Sequence, residues 1–452
     1  MNKAFLGLDL GTSSVKLLLY HSDGSIEKAG VAYDEISPLG WLSAIKRAAE
    51  MLPLDEVCAI GLSSQVGSYL YRGELLPWSA SVGSEELARI KNEITEECFV
   101  KEIGMPHPEL VSYPLPRLSY IKKEAGNCLV MMPKDFLCET LVGKCVSDVY
   151  SWRGLAHAET RQYSQKLLKH FSLDGMTLPP LLSPTAQAGC VTPQGASLTG
   201  LPAGIPVYVG CNDFYAALLG MTAEEGTAFD ITGTSEHFGI FEKGLRRKTR
   251  MVSSPFFDRF VYYGGTAASG HSLSLARRLS ATDDCDVNEA VKNAPVFLPY
   301  LTGERAPVFD SDARGCFFGI SEKTTPMNMA YAVQEGVAFS LYHIYESMGC
   351  PPISRIAAVG GAASISSLNL IKATLFSCPV AVCEEKEASA LGAARLAAIG
   401  AREASWSSSF ARAGQVIAPC EALRPLLLAR YEVYKSLYPS LKESFRLWKT
   451  IS

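Results

Sequence analysis

The stretch FLGLDLGTSSVKLLLY, residues 5–20, decides the fold that this chain predicts. An apolar run containing one carboxylate, Asp9, reaches a turn of glycine and hydroxyl residues and then resumes as a second apolar run. This pattern indicates two antiparallel strands joined by a polar hairpin. Gly11 permits a tight turn whose amides and hydroxyls can bind phosphate oxygens, and Asp9 can hold a hydrated divalent cation beside them. Taken alone, the stretch is also compatible with a hairpin that has no function.

A second stretch, FDITGTSEHFGIF at residues 229–241, repeats the same order of strand, Gly-Thr-Ser turn and strand. It follows the first by more than 200 residues, which is the length of one domain. Internal repetition over that distance indicates two structurally related halves. We therefore expect a nucleotide to be held in a cleft between the halves, with one polar hairpin on each side.

The composition is that of a globular protein that handles small molecules. The 452 residues are 48% hydrophobic and 19% charged, which predicts two to three domains with a substantial core. The net charge is −4 and the basic residues are dispersed, so a nucleic-acid partner is not expected. A membrane partner is not expected either, because the sequence has no continuous apolar run of the length that spans a bilayer.

The cysteine pattern predicts a cytoplasmic protein with reduced thiols. The chain has thirteen cysteines, an odd number, and they form no Cys-x-x-Cys pair. No secretory signal precedes them, and their spacing is not that of a metal site.

Three side chains stand where the pattern predicts ligand contacts. A buried strand over residues 57–62 leads to Gln65, and a strand from residue 206 leads to Asp213 at the start of a small-residue helix. Ligands bind at such strand ends in open α/β sheets, and helix amides would keep Asp213 ionised as a general base. Trp78 could stack on the apolar face of a sugar. Structural alternatives stay open: a surface amide for Gln65, an N-cap for Asp213 and a core position for Trp78.

Further stretches of the second half are rich in glycine and other small residues. YYGGTAASG at residues 262–270 predicts a small-residue loop that enters a helix, and IAAVGGAAS at residues 356–364 predicts a strand followed by a loop. The paired glycines of the second loop would let an adenine or ribose approach the backbone, although a plain strand-to-helix turn is also compatible. Residues 387–399 predict a small-residue helix that can pack tightly. Residues 177–206, rich in Pro, Gly, Ser and Thr, predict a connection between domains.

Together these stretches resemble the FGGY family of carbohydrate kinases, and its xylulokinase branch in particular. Besides the two hairpins, the resemblance rests on VGCND (209–213), LPYLTGERAP (298–307), ARGCFFGI (313–320), EGVAFS (335–340), GGA (360–362) and EASALGAA (387–394). It implies an α/β fold with two ribonuclease-H-like domains of the actin and hexokinase superfamily and a nucleotide cleft between them. The implied domains are residues 1–208 on the sugar side and residues 209–452 on the nucleotide side, the last helix returning to the first domain.

The resemblance also implies an ATP-dependent sugar kinase that uses Mg²⁺. Asp213 would be the general base, and Asp9 would be the metal-binding and second catalytic carboxylate. Gln65, Trp78 and Asp213 would bind the substrate. The implied nucleotide-binding residues are Gly11, Thr12, Ser13, Gly233, Thr234, Gly264, Gly270, Gly360, Gly361, Ala362 and Ser364.

The sugar-facing positions depart from the family pattern. Ketose kinases of this type carry Gln-Met-His where this chain has Gln-Val-Gly at residues 65–67, and Trp-Asn-Asp-x-Arg where it has Trp-Ser-Ala-Ser-Val at residues 78–82. Such losses change substrate choice more than phosphoryl transfer, so we expect a ketose or polyol kinase whose sugar the sequence does not fix. A catalytically weak regulator that binds sugar or nucleotide is the alternative. A homodimer is compatible with the resemblance but is not specified by the sequence.

Overall fold

The computed structural model describes residues 3–221, 226–246, 250–280, 282–406 and 409–451. The chain divides into two compact units. Unit 1 comprises Met1–Met221, Ser254–Asp258 and Glu387–Ala411, and unit 2 comprises Thr222–Ser253, Arg259–Lys386 and Arg412–Ser452. Each unit is built around one mixed sheet, so the prediction of an α/β fold with two sheet-containing domains is confirmed.

The strands, in chain order, are β1 (Ala4–Leu10), β2 (Ser14–His21), β3 (Ile26–Ala32), β4 (Val57–Ser64), β5 (Tyr69–Tyr71), β6 (Glu74–Leu76), β7 (Val130–Met131), β8 (Ser147–Asp148), β9 (Leu181–Leu182), β10 (Gln187–Cys190), β11 (Pro206–Asn212), β12 (Thr227–Thr232), β13 (Glu236–Glu242), β14 (Val252–Phe256), β15 (Arg259–Thr266), β16 (Val296–Leu298), β17 (Cys316–Phe318), β18 (Arg355–Gly360), β19 (Val380–Cys383) and β20 (Ala413–Ile417).

The α-helices are α1 (Pro38–Ala49), α2 (Ser84–Glu93), α3 (Glu96–Ile103), α4 (Pro114–Ala125), α5 (Pro133–Val142), α6 (Gln165–His170), α7 (Pro193–Thr199), α8 (Asp213–Leu219), α9 (Gly270–Leu279), α10 (Val287–Ala290), α11 (Pro326–Ser347), α12 (Ser366–Phe376), α13 (Ala388–Gly400) and α14 (Arg424–Lys449). Short 3₁₀ turns cover Leu54–Glu56, Val291–Asn293 and Gly361–Ser364. Among the described residues, no helix combines the length and the apolar character that crossing a membrane requires.

The sheet of unit 1 has the strand order β10-β11-β4-β1-β2-β3. The predicted first hairpin is confirmed, because β1 pairs antiparallel with β2 over its whole length. β1 is buried throughout, as a central strand covered on both faces must be. It also pairs in parallel with β4, which pairs in parallel with β11. The carboxyl ends of these three strands therefore lie at one edge of the sheet.

Helix α13 packs on one face of this sheet through contacts that only glycine allows. A Cβ added at Gly7 would lie 1.8 Å from the carbonyl oxygen of Ala390, and one at Gly61 would lie 1.9 Å from that of Ala393. The predicted tight packing of this small-residue helix is thus confirmed. Helices α1 and α5 pack on the opposite face of the sheet, where they form a separate hydrophobic cluster.

The sheet of unit 2 has the order β14-β15-β13-β12-β18-β19-β20. Here β12 and β13 form the predicted second hairpin, and β12 also pairs in parallel with β18. The main core of this unit packs the sheet against α11, α12 and α14.

The division into units differs from the expected one at several places. The expected boundary after residue 208 would cut β11, whose parallel pairing with β4 keeps it and α8 in unit 1. Residues 177–206 form β9, β10 and α7 within unit 1 instead of a connection between domains. Helix α13 belongs to unit 1, whereas α14 belongs to unit 2. In α14, Tyr434 is 2.8 Å from the Tyr300 hydroxyl and Arg430 pairs with buried Glu335 at 2.7 Å.

Candidate active site

Asp9 lies near the carboxyl end of β1, where register places it opposite Ser63 of β4. The Ser63 hydroxyl donates a hydrogen bond of 2.7 Å to Oδ1 of Asp9, and the carboxylate is buried. Burial raises the pKa of Asp9, while the Ser63 bond and the positive charge of Lys16 act in the opposite direction. Asp9 is therefore an oriented carboxylate at the sheet edge.

The turn after β1 is fixed and presents exposed hydroxyl residues. The Gly11 amide donates to the Ser14 carbonyl at 3.0 Å and closes the turn. Tyr33 holds it from the side, since its hydroxyl donates to the Gly11 carbonyl at 3.1 Å and its amide to the Ser13 carbonyl at 3.0 Å. Thr12 and Ser13 are exposed at the tip. Such a preorganised turn is suited to phosphate oxygens.

Asp213 is the first residue of α8 and directly follows β11. The N-cap is Asn212, whose Oδ1 accepts a hydrogen bond of 3.1 Å from the Tyr215 amide. The alternative in which Asp213 serves as the cap is therefore wrong. Its own Oδ1 accepts the Phe214 amide at 2.8 Å, and the side chain is half-buried.

Two effects raise the pKa of Asp213 to about 7: chiefly its desolvation, and then the negative charge of Asp9. The Phe214 amide bond and the positive charge of Arg153 oppose this rise. A carboxylate whose pKa lies near neutrality is a good proton acceptor at physiological pH. The parallel pairing of β1 and of β11 with β4 places Asp9 and Asp213 at the same edge of the unit 1 sheet.

Gln65 is buried and Trp78 is exposed, which is the reverse of the surface amide and the core tryptophan that the sequence left open as alternatives. Gln65 is only 4% exposed, and its backbone amide donates a hydrogen bond of 3.0 Å to the Leu10 carbonyl. Its side-chain Oε1 is buried and has no hydrogen-bond partner within the part of the chain that the structure describes. Trp78 is 48% exposed instead of lying in the core, and its amide donates to the Ser68 hydroxyl at 3.0 Å. Both side chains thus retain contact-forming capacity for a ligand.

Arg117 of α4 is a positioning residue that the sequence analysis missed. Its guanidinium is fully buried and donates to the carbonyls of Val82 at 3.1 Å, Ala80 at 2.8 Å and Trp78 at 3.2 Å. It thereby fixes the backbone of residues 78–82. A clamp made to carbonyl groups leaves no signal in the sequence of the clamped segment.

In unit 2, the second Gly-Thr-Ser turn meets the start of α9. The Gly233 amide donates to the Ser235 carbonyl at 2.9 Å, and the Gly270 amide donates to the Gly233 carbonyl at 3.0 Å. A Cβ at Gly270 would lie 2.6 Å from that carbonyl oxygen, so only glycine permits this contact. Gly233 and Thr234 are exposed. The structure therefore brings three of the predicted nucleotide-binding residues together.

The paired-glycine loop lies beside the end of β12. Gly360 has φ +104° and its backbone passes so close to Thr232 that a Cβ would lie 1.9 Å from the carbonyl oxygen. The Ala362 amide donates to the Thr232 hydroxyl at 3.0 Å, and the Ser364 hydroxyl donates to the Gly361 carbonyl at 2.9 Å. Gly361 has open space around it.

Gly264 stands in a different setting, inside β15. A Cβ there would lie 2.9 Å from Ile344 and 3.0 Å from Ala306, both side chains of the unit 2 core. Packing alone accounts for this glycine, and its contact with a nucleotide stays a prediction.

A buried charged cluster, which the sequence analysis also missed, supports the second hairpin. Lys372 of α12 donates to Asp230 of β12 at 2.6 Å and to Glu236 of β13 at 2.5 Å, and all three side chains are buried. Burial and the charge of Asp230 raise the pKa of Glu236 to about 8. The lysine therefore ties both strands of the hairpin to one helix.

The donor groups of this site suit Mg²⁺ better than they suit a metal ion that is bound entirely by protein side chains. Across the described ranges, no three His, Cys, Asp or Glu side chains form a group that could hold a metal ion. Mg²⁺ is commonly bound through one or two carboxylates together with substrate phosphates. Asp9, a hard oxygen donor beside a phosphate-binding type of turn, fits that mode.

Two sheet-containing units, each with a Gly-Thr-Ser turn after a buried strand, are the arrangement expected of a carbohydrate kinase. Models of the FGGY family of carbohydrate kinases match its N-terminal domain at residues 43–220 and its C-terminal domain at residues 229–401, and the chain belongs to this family. A xylulose kinase of Staphylococcus xylosus is 25% identical over 96% of this chain and 99% of its own. A gluconokinase of Bacillus licheniformis is 26% identical over 87% of this chain and 86% of its own.

Solved structures share the fold along the whole chain. The gluconate kinase of Lactobacillus acidophilus superposes with a TM-score of 0.87 at 23% identity, covering 99% of this chain and 100% of that one. The ligand-bound xylulose kinase of the same organism gives a TM-score of 0.85 at 23% identity and the same coverage. These likenesses establish the architecture.

Proposed function

We propose that this protein is an ATP-dependent kinase that transfers the γ-phosphoryl group to a hydroxyl of a ketose or polyol. The observation that carries the proposal is the position of Asp9 and Asp213 at one edge of the unit 1 sheet, where desolvation chiefly raises the pKa of Asp213 to about 7. Relatives along nearly the whole chain are named xylulose kinase and gluconokinase, which supports an open-chain carbohydrate as the acceptor.

Asp213 acts as the general base in this proposal. It accepts the proton of the attacking hydroxyl while the Phe214 amide keeps one carboxylate oxygen oriented. Phosphoryl transfer needs little else from the protein than alignment of the nucleophile and management of charge.

Asp9 would hold Mg²⁺, and the Gly11–Ser14 turn would bind phosphate oxygens. The metal, when bound, would offset the negative charge of the phosphates. In unit 2 we assign ATP binding to the Gly233–Thr234 turn, to Gly270 and to the loop from Gly360 to Ser364, because these segments are preorganised and their tips are exposed.

The acceptor would be bound in unit 1. The buried Oε1 of Gln65 has the capacity to accept a hydrogen bond from a sugar hydroxyl, and exposed Trp78 offers an apolar face. The thirteen cysteines are present as thiols and not as disulfides, which supports a cytoplasmic location for this activity.

A regulator that binds without transfer is the second candidate. It is favoured by Gly67 and Ala80, which stand where ketose kinases of the family carry His and Asp. Retention of both Asp9 and Asp213 favours the kinase.

An acceptor panel separates the two candidates. We would measure acceptor-dependent ADP release with D-xylulose, L-xylulose, D-ribulose, L-ribulose, erythritol, glycerol and D-gluconate, and would measure ATP binding in parallel by calorimetry. Release of ADP that depends on at least one carbohydrate supports the kinase. ATP binding without release for any carbohydrate would instead support the regulator.

A further inference from the structure

Asn212 is the last residue of β11 and the N-cap of α8, and its fully buried side chain makes two hydrogen bonds. Its Oδ1 accepts the Tyr215 amide at 3.1 Å, which caps the helix. Its side-chain amide donates to the carbonyl of Tyr150 at 2.8 Å. A helix cap needs only an oxygen acceptor, so this second bond goes beyond what capping requires.

The carbonyl of Tyr150 is a fixed anchor for that second bond. The side chain of Asp148 accepts hydrogen bonds from the Tyr150 amide at 2.9 Å and from the Ser151 amide at 3.0 Å. Fully buried Lys134 lies 3.1 Å from the same side chain. The Tyr150 hydroxyl in turn accepts the Phe257 amide at 2.9 Å. Both the backbone and the side chain of Tyr150 are therefore held by other residues of unit 1.

The proposed general base, Asp213, directly follows this cap and is also held by α13. The Ser389 hydroxyl donates to the Asp213 carbonyl at 3.1 Å. A Cβ at Gly392 would lie 1.8 Å from the carbonyl oxygen of Ala216, so the backbones of α8 and α13 are in contact. Oδ1 of the base accepts the Phe214 amide at 2.8 Å, which orients the carboxylate on this backbone. The position of the base thus depends on α13 on one side and on the preceding cap residue on the other.

We propose that Asn212 is a positioning residue for phosphoryl transfer, and that its hydrogen bond to Tyr150 holds the Asp213 carboxylate where it accepts the proton of the attacking hydroxyl. A general base must lie within hydrogen-bonding reach of the proton it removes. A displacement of about 1 Å can lower a rate about 100-fold. The inference rests on the proposed kinase function and adds a residue that acts through its base.

The test removes the bond to Tyr150 and keeps the helix cap. In Asn212→Ser the hydroxyl can still accept the Tyr215 amide, since serine is a good N-cap, but no side-chain amide remains to donate to Tyr150. Asn212→Asp keeps the size of the side chain and the capping oxygen, and its ionised carboxylate cannot donate. This second variant carries the same comparison if the serine variant does not fold.

Thr192, the N-cap of α7 in unit 1, provides a matched control. Its Oγ1 accepts the Gly195 amide at 3.0 Å and donates to the Leu141 carbonyl at 3.2 Å, so it also combines a cap with a bond to another element. Thr192→Val removes both bonds away from the base. We expect this control to lower Tm and to leave kcat unchanged.

In the activity arm, kcat for the best acceptor should fall about 10- to 100-fold in Asn212→Ser and in Asn212→Asp. The KM for the acceptor and the Kd for ATP should stay within about threefold, because the bond positions the base and does not bind either substrate. In the Asp213→Asn background, Asn212→Ser should change the residual kcat by less than about twofold, since the group that it positions is absent. An equal loss in both backgrounds would show that Asn212 acts on the fold in general, and would overturn the inference.

A second arm measures Tm at pH 8 without nucleotide, metal or sugar, and so does not depend on turnover. Desolvation is the main cause of the raised pKa of Asp213, so Asp213→Asn should raise the Tm of the wild type. It should raise the Tm of Asn212→Ser by less than half as much, because a carboxylate that is no longer held moves toward water.

The two arms separate failure of the inference from failure of the kinase assignment. The smaller Tm gain in Asn212→Ser, found in a protein that phosphorylates no acceptor, would support the positioning role and contradict the kinase. Turnover by the wild type, with equal Tm gains in the two backgrounds and an unchanged kcat in Asn212→Ser, would support the kinase and overturn the inference.

Discussion

Replacing Asp213 by Asn should stabilise the ligand-free protein, and only at pH values where the carboxyl group would be charged. The pKa of Asp213 is raised from 3.8 to about 7, so the native protein binds this proton more tightly than the unfolded chain does. The free energy of unfolding therefore falls as pH rises from 4 to 7, and the full penalty is present above pH 7. The variant lacks this penalty at every pH.

The size of the effect follows from the two pKa values. A rise of a carboxyl pKa from 3.8 to about 7 corresponds to about 4 kcal/mol. Because the side chain is half-buried, water screens part of this penalty, and we expect about 2 kcal/mol. In a unit of this size, that gain is worth about 4 °C or more in Tm.

The assay is thermal unfolding of wild type and Asp213→Asn at pH 5 and pH 8, without nucleotide, metal or sugar. Asp23→Asn is the control, because hydrogen bonds from Ser25 lower the pKa of this exposed carboxyl, and its removal should bring no gain at pH 8. An Asp213→Asn gain that is the same at both pH values, or a loss at pH 8, would refute the reasoning.

Three further outcomes are expected. Asp9→Ala should abolish the Mg²⁺ dependence of ATP binding or transfer while Tm changes little, and an unaltered magnesium titration would remove Asp9 from the site. Arg117→Met should raise the KM for the acceptor about tenfold or more, because the Trp78 segment loses its clamp, with a smaller change in kcat; equal KM values would show that the clamp is dispensable. D-xylulose should be a poor acceptor, because Gly67 and Ala80 lack polar side chains and each missing hydrogen bond lowers specificity about ten- to a hundredfold. This expectation would be contradicted if D-xylulose were the best acceptor of the panel with a kcat/KM above about 10⁴ M⁻¹s⁻¹.

The fold could be predicted where its signals are local. Each hairpin is indicated within one stretch of about fifteen residues by an apolar run, a Gly-Thr-Ser turn and a second apolar run. The tight packing of α13 could be expected too, because eight of its thirteen residues are glycine or alanine.

Membership of a unit could not be predicted in the same way. Residues 254–258 and 387–411 fold into unit 1 although the chain has already entered unit 2. That choice depends on contacts across long sequence separations, such as Gly7 with Ala390, which no local pattern encodes.

The candidate site shows the same division. Asp9 and Asp213 could be proposed because Asp9 lies near the end of an apolar strand and Asp213 directly follows one, and the structure places both at one sheet edge. Arg117 and Lys372 could not, because their roles depend on partners distant in the sequence and because arginines and lysines are usually exposed. Burial of Gln65 and exposure of Trp78 likewise depend on tertiary packing.

Detection of the phosphorylated acceptor by ³¹P NMR tests the central claim most directly. With ATP, Mg²⁺ and the best acceptor at pH 7.5, we predict that wild type forms a sugar phosphate ester and ADP in equal amounts. Asp213→Asn should form the ester about 10²- to 10⁴-fold more slowly while its Kd for ATP stays within a few-fold. An Asp213→Asn rate above half that of wild type, or phosphate released to water instead of to the acceptor, would contradict the account.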